Sequence, residues 1–215
     1  MQLLFIEGVP GSGKSTLAEL ICRQAQVHGM DAEWYLEEMK DHPVHPYALR
    51  AAKSQSDFPE HCLRSWQQFL HECGDREGLR ILEGSMFQSS VRFMLERGHA
   101  VRIDSYFRDF LALMREFDVR MIYIRPREIA SHIDWIASVR GPVWDDKVTA
   151  YLERTSYCVR QGLEGRQCMH GFWGDYAELC DGLISQIQMP CLQLDTSPGD
   201  WDGVLHASLE FASLS

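Results

Sequence analysis

The 215-residue chain has no apolar run near the ~18 residues that a membrane-spanning helix requires. It has no internal repeat and no low-complexity linker, and its 45% hydrophobic, 24% charged composition excludes disorder as the main state. Positive charge is scarce: 21 Lys and Arg stand against 31 Asp and Glu, a formal net charge of −10. That balance argues against broad binding to a nucleic-acid backbone, although a local arginine cluster around a small phosphorylated ligand stays open. The seven cysteines are odd in number and include no Cys-x-x-Cys pair. Most lie in apolar context, so they read as reduced core thiols of a cytoplasmic protein rather than a zinc site or a disulfide frame. The opening Met1–Pro10 lacks a charged leader and a cleavage site, and reads as a buried first strand.

What is present alternates. Short apolar segments at Leu3–Ile6, Ala32–Leu36, Arg80–Leu82, Met121–Ile124 and Cys191–Leu194 read as strands. Between them lie stripes of helical period. One runs through Leu17, Leu20 and Ile21 and closes at Gly29. Others are Phe58, Cys62, Trp66, Phe69, Leu70 and Cys73; Ile103 to Met114; and Tyr176 to Ile187. The pattern implies βαβ units and a three-layer α/β fold, a five-stranded parallel sheet buried on both faces by helices. One domain, 1–215, is expected. The stretch about 140–174, which carries Gly141-Pro142 and a Gly/Arg-rich piece, is expected to form a helical lid.

Gly8 to Thr16 reads G-V-P-G-S-G-K-S-T, a full match to G-x-x-x-x-G-K-[ST] between a strand and a helix. Its glycines let successive N–H groups face one anion, and the helix N-terminus adds positive charge there. Pro10, Gly11, Ser12, Gly13, Lys14, Ser15 and Thr16 are thus expected to hold the phosphates of ATP. Lys14 would reach the β- and γ-phosphates, and the Ser15 hydroxyl would coordinate Mg²⁺. Glu83, at the end of the strand Arg80–Leu82, is the expected second metal-site group. Glu37, after Ala32–Leu36, is the expected base for an acceptor hydroxyl, with Asp41 its rival. His42 and His45 read either as acceptor-binding groups or as plain loop residues. Among Arg125, Arg127, Arg140, Arg154, Arg160 and Arg166, Arg140 is the first choice to neutralise transferred phosphate. It ends the helix carrying Ile129, Ile133 and Ile136.

These segments resemble the P-loop kinases of the nucleoside and nucleoside-monophosphate kinase group. The likeness is carried by Phe5-Ile6-Glu7-Gly8 through Thr16, by Ile81-Leu82-Glu83-Gly84, by Met121–Ile124 with the following helix and Arg140, and by Leu194 to Ser197 with Asp200-Trp201. The resemblance implies a sheet order 2-3-1-4-5, and a loop after the last strand that helps hold adenine. A nearer likeness is to uncharacterised bacterial kinase-like P-loop proteins. It rests on Glu37 to Pro43 with Asp41-His42-Pro43, Arg140-x-x-x-Trp144, Gly171-Phe172-x-Gly174 and the late Asp-Trp. The chain departs from nucleoside kinases after the third strand, where Glu83-Gly84-Ser85 replaces an acidic-Arg-Ser or Asp-Arg-Tyr triplet.

The expected activity is ATP- and Mg²⁺-dependent transfer of the γ-phosphate to a hydroxyl or phosphate of a small molecule, without nucleic-acid or membrane partners. The alternative is a nucleotide-hydrolysing switch, or a kinase-like effector acting on a protein or sugar nucleotide. The guanine-reading Asn/Thr-Lys-x-Asp motif is missing, which lowers a GTPase, and a motor would need a longer chain. The acceptor is expected between Glu37–Pro46, the region after Glu83 and the helix Ile103–Phe117.

Overall fold

The computed structural model describes residues 1–45, 57–74, 76–197 and 199–214. The elements run β1 (Gln2–Gly8), α1 (Lys14–Val27), β2 (Ala32–Tyr35), α2 (Phe58–Cys73) and β3 (Leu79–Glu83). A π-helical turn (Phe87–Val91) leads into α3 (Arg92–Glu96), then α4 (Ala100–Met114), β4 (Asp118–Ile124), α5 (Ile129–Arg140) and α6 (Pro142–Leu152). Last come α7 (Ser156–Gln161), α8 (Gly165–Ile184), β5 (Cys191–Leu194) and α9 (Trp201–Phe211). The five strands form one sheet in the order β2-β3-β1-β4-β5, every pairing parallel. This is the order implied by the kinase resemblance.

Alternation along β1 explains the layers. Leu3 and Phe5 point into a core shared with α2, α4 and α8, while Leu4 and Ile6 point into a second core shared with α1 and the chain end. Both faces are covered, so the strand must be apolar throughout. Trp66 of α2 is fully buried and meets Phe5 and Phe110 edge to face, at centroid distances of 5.6 and 5.1 Å. Burial of such a ring contributes about 2–3 kcal/mol.

One sequence expectation changes. Cys158 and Cys168 form a disulfide between α7 and α8, with Cα atoms 5.9 Å apart, so the reduced-thiol reading fails for this pair. They stand ten positions apart in the chain, and the turn between the two helices brings the thiols together inside the core, a proximity no Cys-x-x-Cys spacing announces. The other five cysteines are free, four of them buried. The stretch 140–174, where a helical lid is expected, divides in character. In α6 only Leu152 is buried, but Tyr157, Cys158, Cys168, Met169, Phe172 and Trp173 belong to the main core. Among the described residues, no helix is long and apolar enough to cross a membrane.

Candidate nucleotide and acceptor site

The carboxyl ends of β1, β2 and β3 converge on the phosphate loop. Gly13 takes φ +97° in front of α1, and any Cβ there would collide with the Trp201 indole, so glycine is required. A cavity of about 380 Å³ opens at this point. Pro10, Gly11, Gly13, Lys14, Ser15 and Thr16 line it from the loop, Glu37, Glu38 and Glu83 from the neighbouring strand ends, and Gln88 and Arg140 from further along the chain. Ser12 does not line it; it is buried inside the loop.

Lys14 is buried and its Nζ donates to the Val9 carbonyl at 3.1 Å, curled over the loop it serves. The Ser15 hydroxyl donates to Glu83 Oε1 at 2.8 Å. The other oxygen, Glu83 Oε2, is buried without a hydrogen-bond partner among the described residues. A hydroxyl and a carboxylate side by side, with a spare anionic oxygen, are the hard donors that suit Mg²⁺ shared with phosphates. Among the described residues no group of three or more His, Cys, Asp or Glu side chains forms a metal cage of its own.

Glu37 stands just beyond β2 and is buried against Gly84. A Cβ at Gly84 would lie 2.6 Å from Glu37 Oε2, and Gly84 has φ +60°. Glycine after Glu83 therefore makes room for the Glu37 carboxylate. Asp41 is exposed and does not border the cavity. His42 and His45 are buried in the layer behind. The Val44 and His45 amides donate to His42 Nδ1 at 3.2 and 3.1 Å, so the proton sits on Nε2 and faces Ser85 Oγ at 3.2 Å. Ser85 in turn donates to the Glu83 carbonyl at 3.1 Å. His42 thus ties the loop that carries Glu37 to the turn after β3. Pro46 of the expected acceptor loop lies outside the described residues.

Of the six arginines, Arg140 is the one at this cavity, with its guanidinium 5.1 Å from the Trp144 ring centroid across the α5–α6 junction. That contact accounts for the Arg-x-x-x-Trp spacing. Arg125 pairs with Asp181 (3.1 Å), Arg127 with Asp195 (3.2 Å) and Arg166 with Asp145 (2.9 Å). Arg154 and Arg160 are exposed away from the cavity.

Sequence reasoning passed over several residues. Glu7 is fully buried at the end of β1, and its Oε1 accepts from the Met86 amide at 2.6 Å. Burial pushes its carboxyl up to about 8, against the opposing pull of the Met86 and Phe87 amides and of Lys14. Its place in Phe5-Ile6-Glu7-Gly8 is the one sequence signal for it. His132 of α5 donates from Nε2 to the Pro10 carbonyl at 3.0 Å; burial lowers its pKa, so the neutral ring braces the phosphate loop. A second cavity of about 640 Å³ adjoins the first at Gly11. Trp135 and Trp201, both well exposed, border it together with Arg127, His132, Asp195 and Thr196. Ser197 bonds to Asp195 and the Arg127 guanidinium beside it hold the Asp195 carboxyl below its ordinary range.

No family model matches the chain. A shikimate kinase of Bacteroides fragilis is 28% identical over 104 residues, 47% of this chain, which spans 55% of that protein's length. Three solved structures share the fold. Thymidylate kinase from Candida albicans has a TM-score of 0.56 at 11% identity, covering 99% of this chain and 92% of that one. The YorR protein from Bacillus subtilis, in complex with phosphorylated GDP, has 0.54 at 13%, covering 99% and 96%. Deoxyadenosine kinase from M. mycoides, with bound dATP, has 0.53 at 15%, covering 99% and 100%. Sheet order, phosphate loop and these likenesses together make this a P-loop kinase-like protein in fold.

Proposed function

We propose that the chain is an ATP-dependent phosphotransferase acting on a small molecule. The observation that carries this reading is the single cavity holding Lys14, the Ser15–Glu83 pair, Glu37 and Arg140 at the mouth of the phosphate loop. A site built only to hold nucleotide needs Lys14, Ser15 and Glu83; Glu37 on the far side is what an acceptor needs.

In this reading the loop N–H groups and Lys14 bind the phosphates. Ser15 and Glu83 would hold Mg²⁺, which when bound spreads the charge of the β- and γ-phosphates. Lys14 leaves the Val9 carbonyl for phosphate oxygens, a stronger charge-assisted partner. Arg140, free of any carboxylate partner among the described residues, swings in to neutralise the transferred group. Glu37 takes the acceptor proton. The larger cavity between Trp135 and Trp201 receives the base, and α6 serves as the lid that excludes water. Five free thiols suit a cytoplasmic setting, in which Cys158–Cys168 would be the exception.

The test is nucleotide titration followed by tryptophan fluorescence. ATP with Mg²⁺ should quench emission through Trp135 and Trp201, and a Trp201→Phe variant should lose much of the change. Wild-type emission unmoved by millimolar ATP would count against the assignment.

A further inference from the structure

A cavity of about 450 Å³ lies at the other end of the sheet from the phosphate loop, between the end of α4, the start of β4 and the segment leading from α8 into β5. The phosphate loop follows the carboxyl end of β1, which pairs with β4 along its whole length, so about 20 Å of strand separates the two places. The floor is the open edge of the main core. Met114 and Val119 are buried in that core, and Leu111, Phe117 and Met189 are half-buried against it. Pro190 borders the cavity too, and its carbonyl accepts from the Met121 amide at 3.0 Å, which fixes this wall to β4.

Two guanidinium groups border this floor, those of Arg108 and Arg115. Arg108 lies in α4, and Arg115 follows its last residue with the backbone still helical. Seven positions apart, they share one helix face about 10 Å apart along the axis, with Leu111 between them. The nearby Arg102 and Arg120 pair with Glu60 and Asp118, whereas Arg108 and Arg115 form no ion pair among the described residues. Asp118 also borders the cavity, but Arg120 Nε lies 3.8 Å from one of its oxygens and the Gln2 amide donates to the other at 3.2 Å. Gln186 and Gln188 add neutral amides from the α8–β5 side. With a net charge of −10 the chain repels anions in general, so an anion held here would be held by local groups. An inorganic anion would leave the apolar floor in contact with water, and a hydrocarbon would gain nothing from the arginines. A molecule with both parts uses both.

We propose that this cavity is a second binding site, for a small amphipathic organic anion. The apolar chain or ring of the ligand lies on the core edge at Leu111, Met114 and Met189, and its carboxylate or sulfonate lies between Arg108 and Arg115. The site is separate from the phosphate cavity and takes its ligand whether or not nucleotide is bound.

The experiment titrates the full chain with the fluorescent probe 8-anilinonaphthalene-1-sulfonate, in the presence of Mg²⁺ and a saturating non-hydrolysable ATP analogue that keeps the probe out of the nucleotide cavities. An Arg108→Gln/Arg115→Gln variant should raise the Kd of the probe about tenfold or more, the scale of one lost charge-assisted bond. Arg108→Lys/Arg115→Lys, which keeps the charge, should stay within a few-fold of wild type. Decanoate should displace the probe at far lower concentration than decanol or inorganic phosphate. A second readout needs no variant: in protein labelled with ¹³C at the methionine methyls, decanoate should shift the Met114 and Met189 signals. Undiminished probe binding in the Gln variant would overturn the proposal, as would displacement by decanol or phosphate as readily as by decanoate. Met114 and Met189 signals unmoved by millimolar decanoate would overturn it too. Probe binding that falls as the protein self-associates would give the cavity to a second copy of the chain and overturn it as well.

Discussion

Lys14 and Glu7 show what single side chains do at this site. Lys14 is buried over the phosphate loop, but its one hydrogen bond, to the Val9 carbonyl, is a resting contact. Lys14→Ala should therefore lower phosphate transfer by about a hundredfold or more, the scale of losing one charged donor to a transition state. Its melting temperature should stay within a few degrees of wild type, as checked by calorimetry. Glu7 works through the fold. Its carboxyl titrates at about 8 inside the protein because burial disfavours the charged form, whereas in the unfolded chain it ionises near 4.5. The folded state thus holds a proton that the unfolded state has lost. Glu7's contribution is fully present below 4.5 and is lost as pH rises through 8. Denaturant unfolding should show wild type losing stability between pH 5 and 9 relative to Glu7→Gln. Parallel curves for the two proteins would refute a buried neutral carboxyl. Neither behaviour could be foreseen in full. The phosphate-loop motif names Lys14 from its spacing, but Glu7 lies outside that motif, and only the third dimension brings Met86 against it.

At the scale of elements, the β strands were legible because both faces of a parallel sheet are covered, leaving near-continuous apolar runs such as Leu3–Ile6. Glu37 and Glu83 could be singled out because the carboxyl ends of parallel strands face the ligand, and Arg140 because it ends the helix of Ile129, Ile133 and Ile136 before the expected lid; all three border one cavity. Gln88 was not legible. It borders the cavity from a π-helical turn that has no sequence signature. The Trp135–Trp201 cavity was half visible: the chain end suggested a base-binding loop, but Trp135 comes from α5, and helical period alone does not say which exposed aromatic faces a ligand. The cysteines misled because pairing depends on the α7–α8 turn. If Cys158 and Cys168 are bonded, the denatured, unreduced protein should show five free thiols, rising to seven after reduction. Closing a loop of this length contributes about 2–3 kcal/mol, so a Cys158→Ser/Cys168→Ser variant should unfold at lower denaturant. Helix α6 differs from its neighbours. It exposes most of its surface and is pinned by Tyr151 to Glu96 and by Asp145 to Arg166. Its amides should exchange hydrogen well before those of β1, and Tyr151→Phe should speed that exchange further. Equal protection in α6 and β1 would argue against a lid there.

In the whole molecule one fold delivers two adjoining cavities, a wide one bordered by tryptophans and a narrow acidic one, joined at the phosphate loop. The arrangement makes sense if a nucleotide spans both and its γ-phosphate ends beside Glu37. The departure Glu83-Gly84-Ser85 then has a physical reason, since the missing side chain at Gly84 leaves space for the Glu37 carboxylate. The most direct measurement follows labelled γ-phosphate from ATP into small-molecule products, with wild type and Lys14→Ala run side by side. Wild type should yield a labelled small molecule and ADP, and a Lys14→Ala protein that remains folded should lose nearly all of that transfer. Full transfer by folded Lys14→Ala would contradict phosphoryl transfer at this site, and so would ATP hydrolysis that rises with a protein partner while no small molecule gains label.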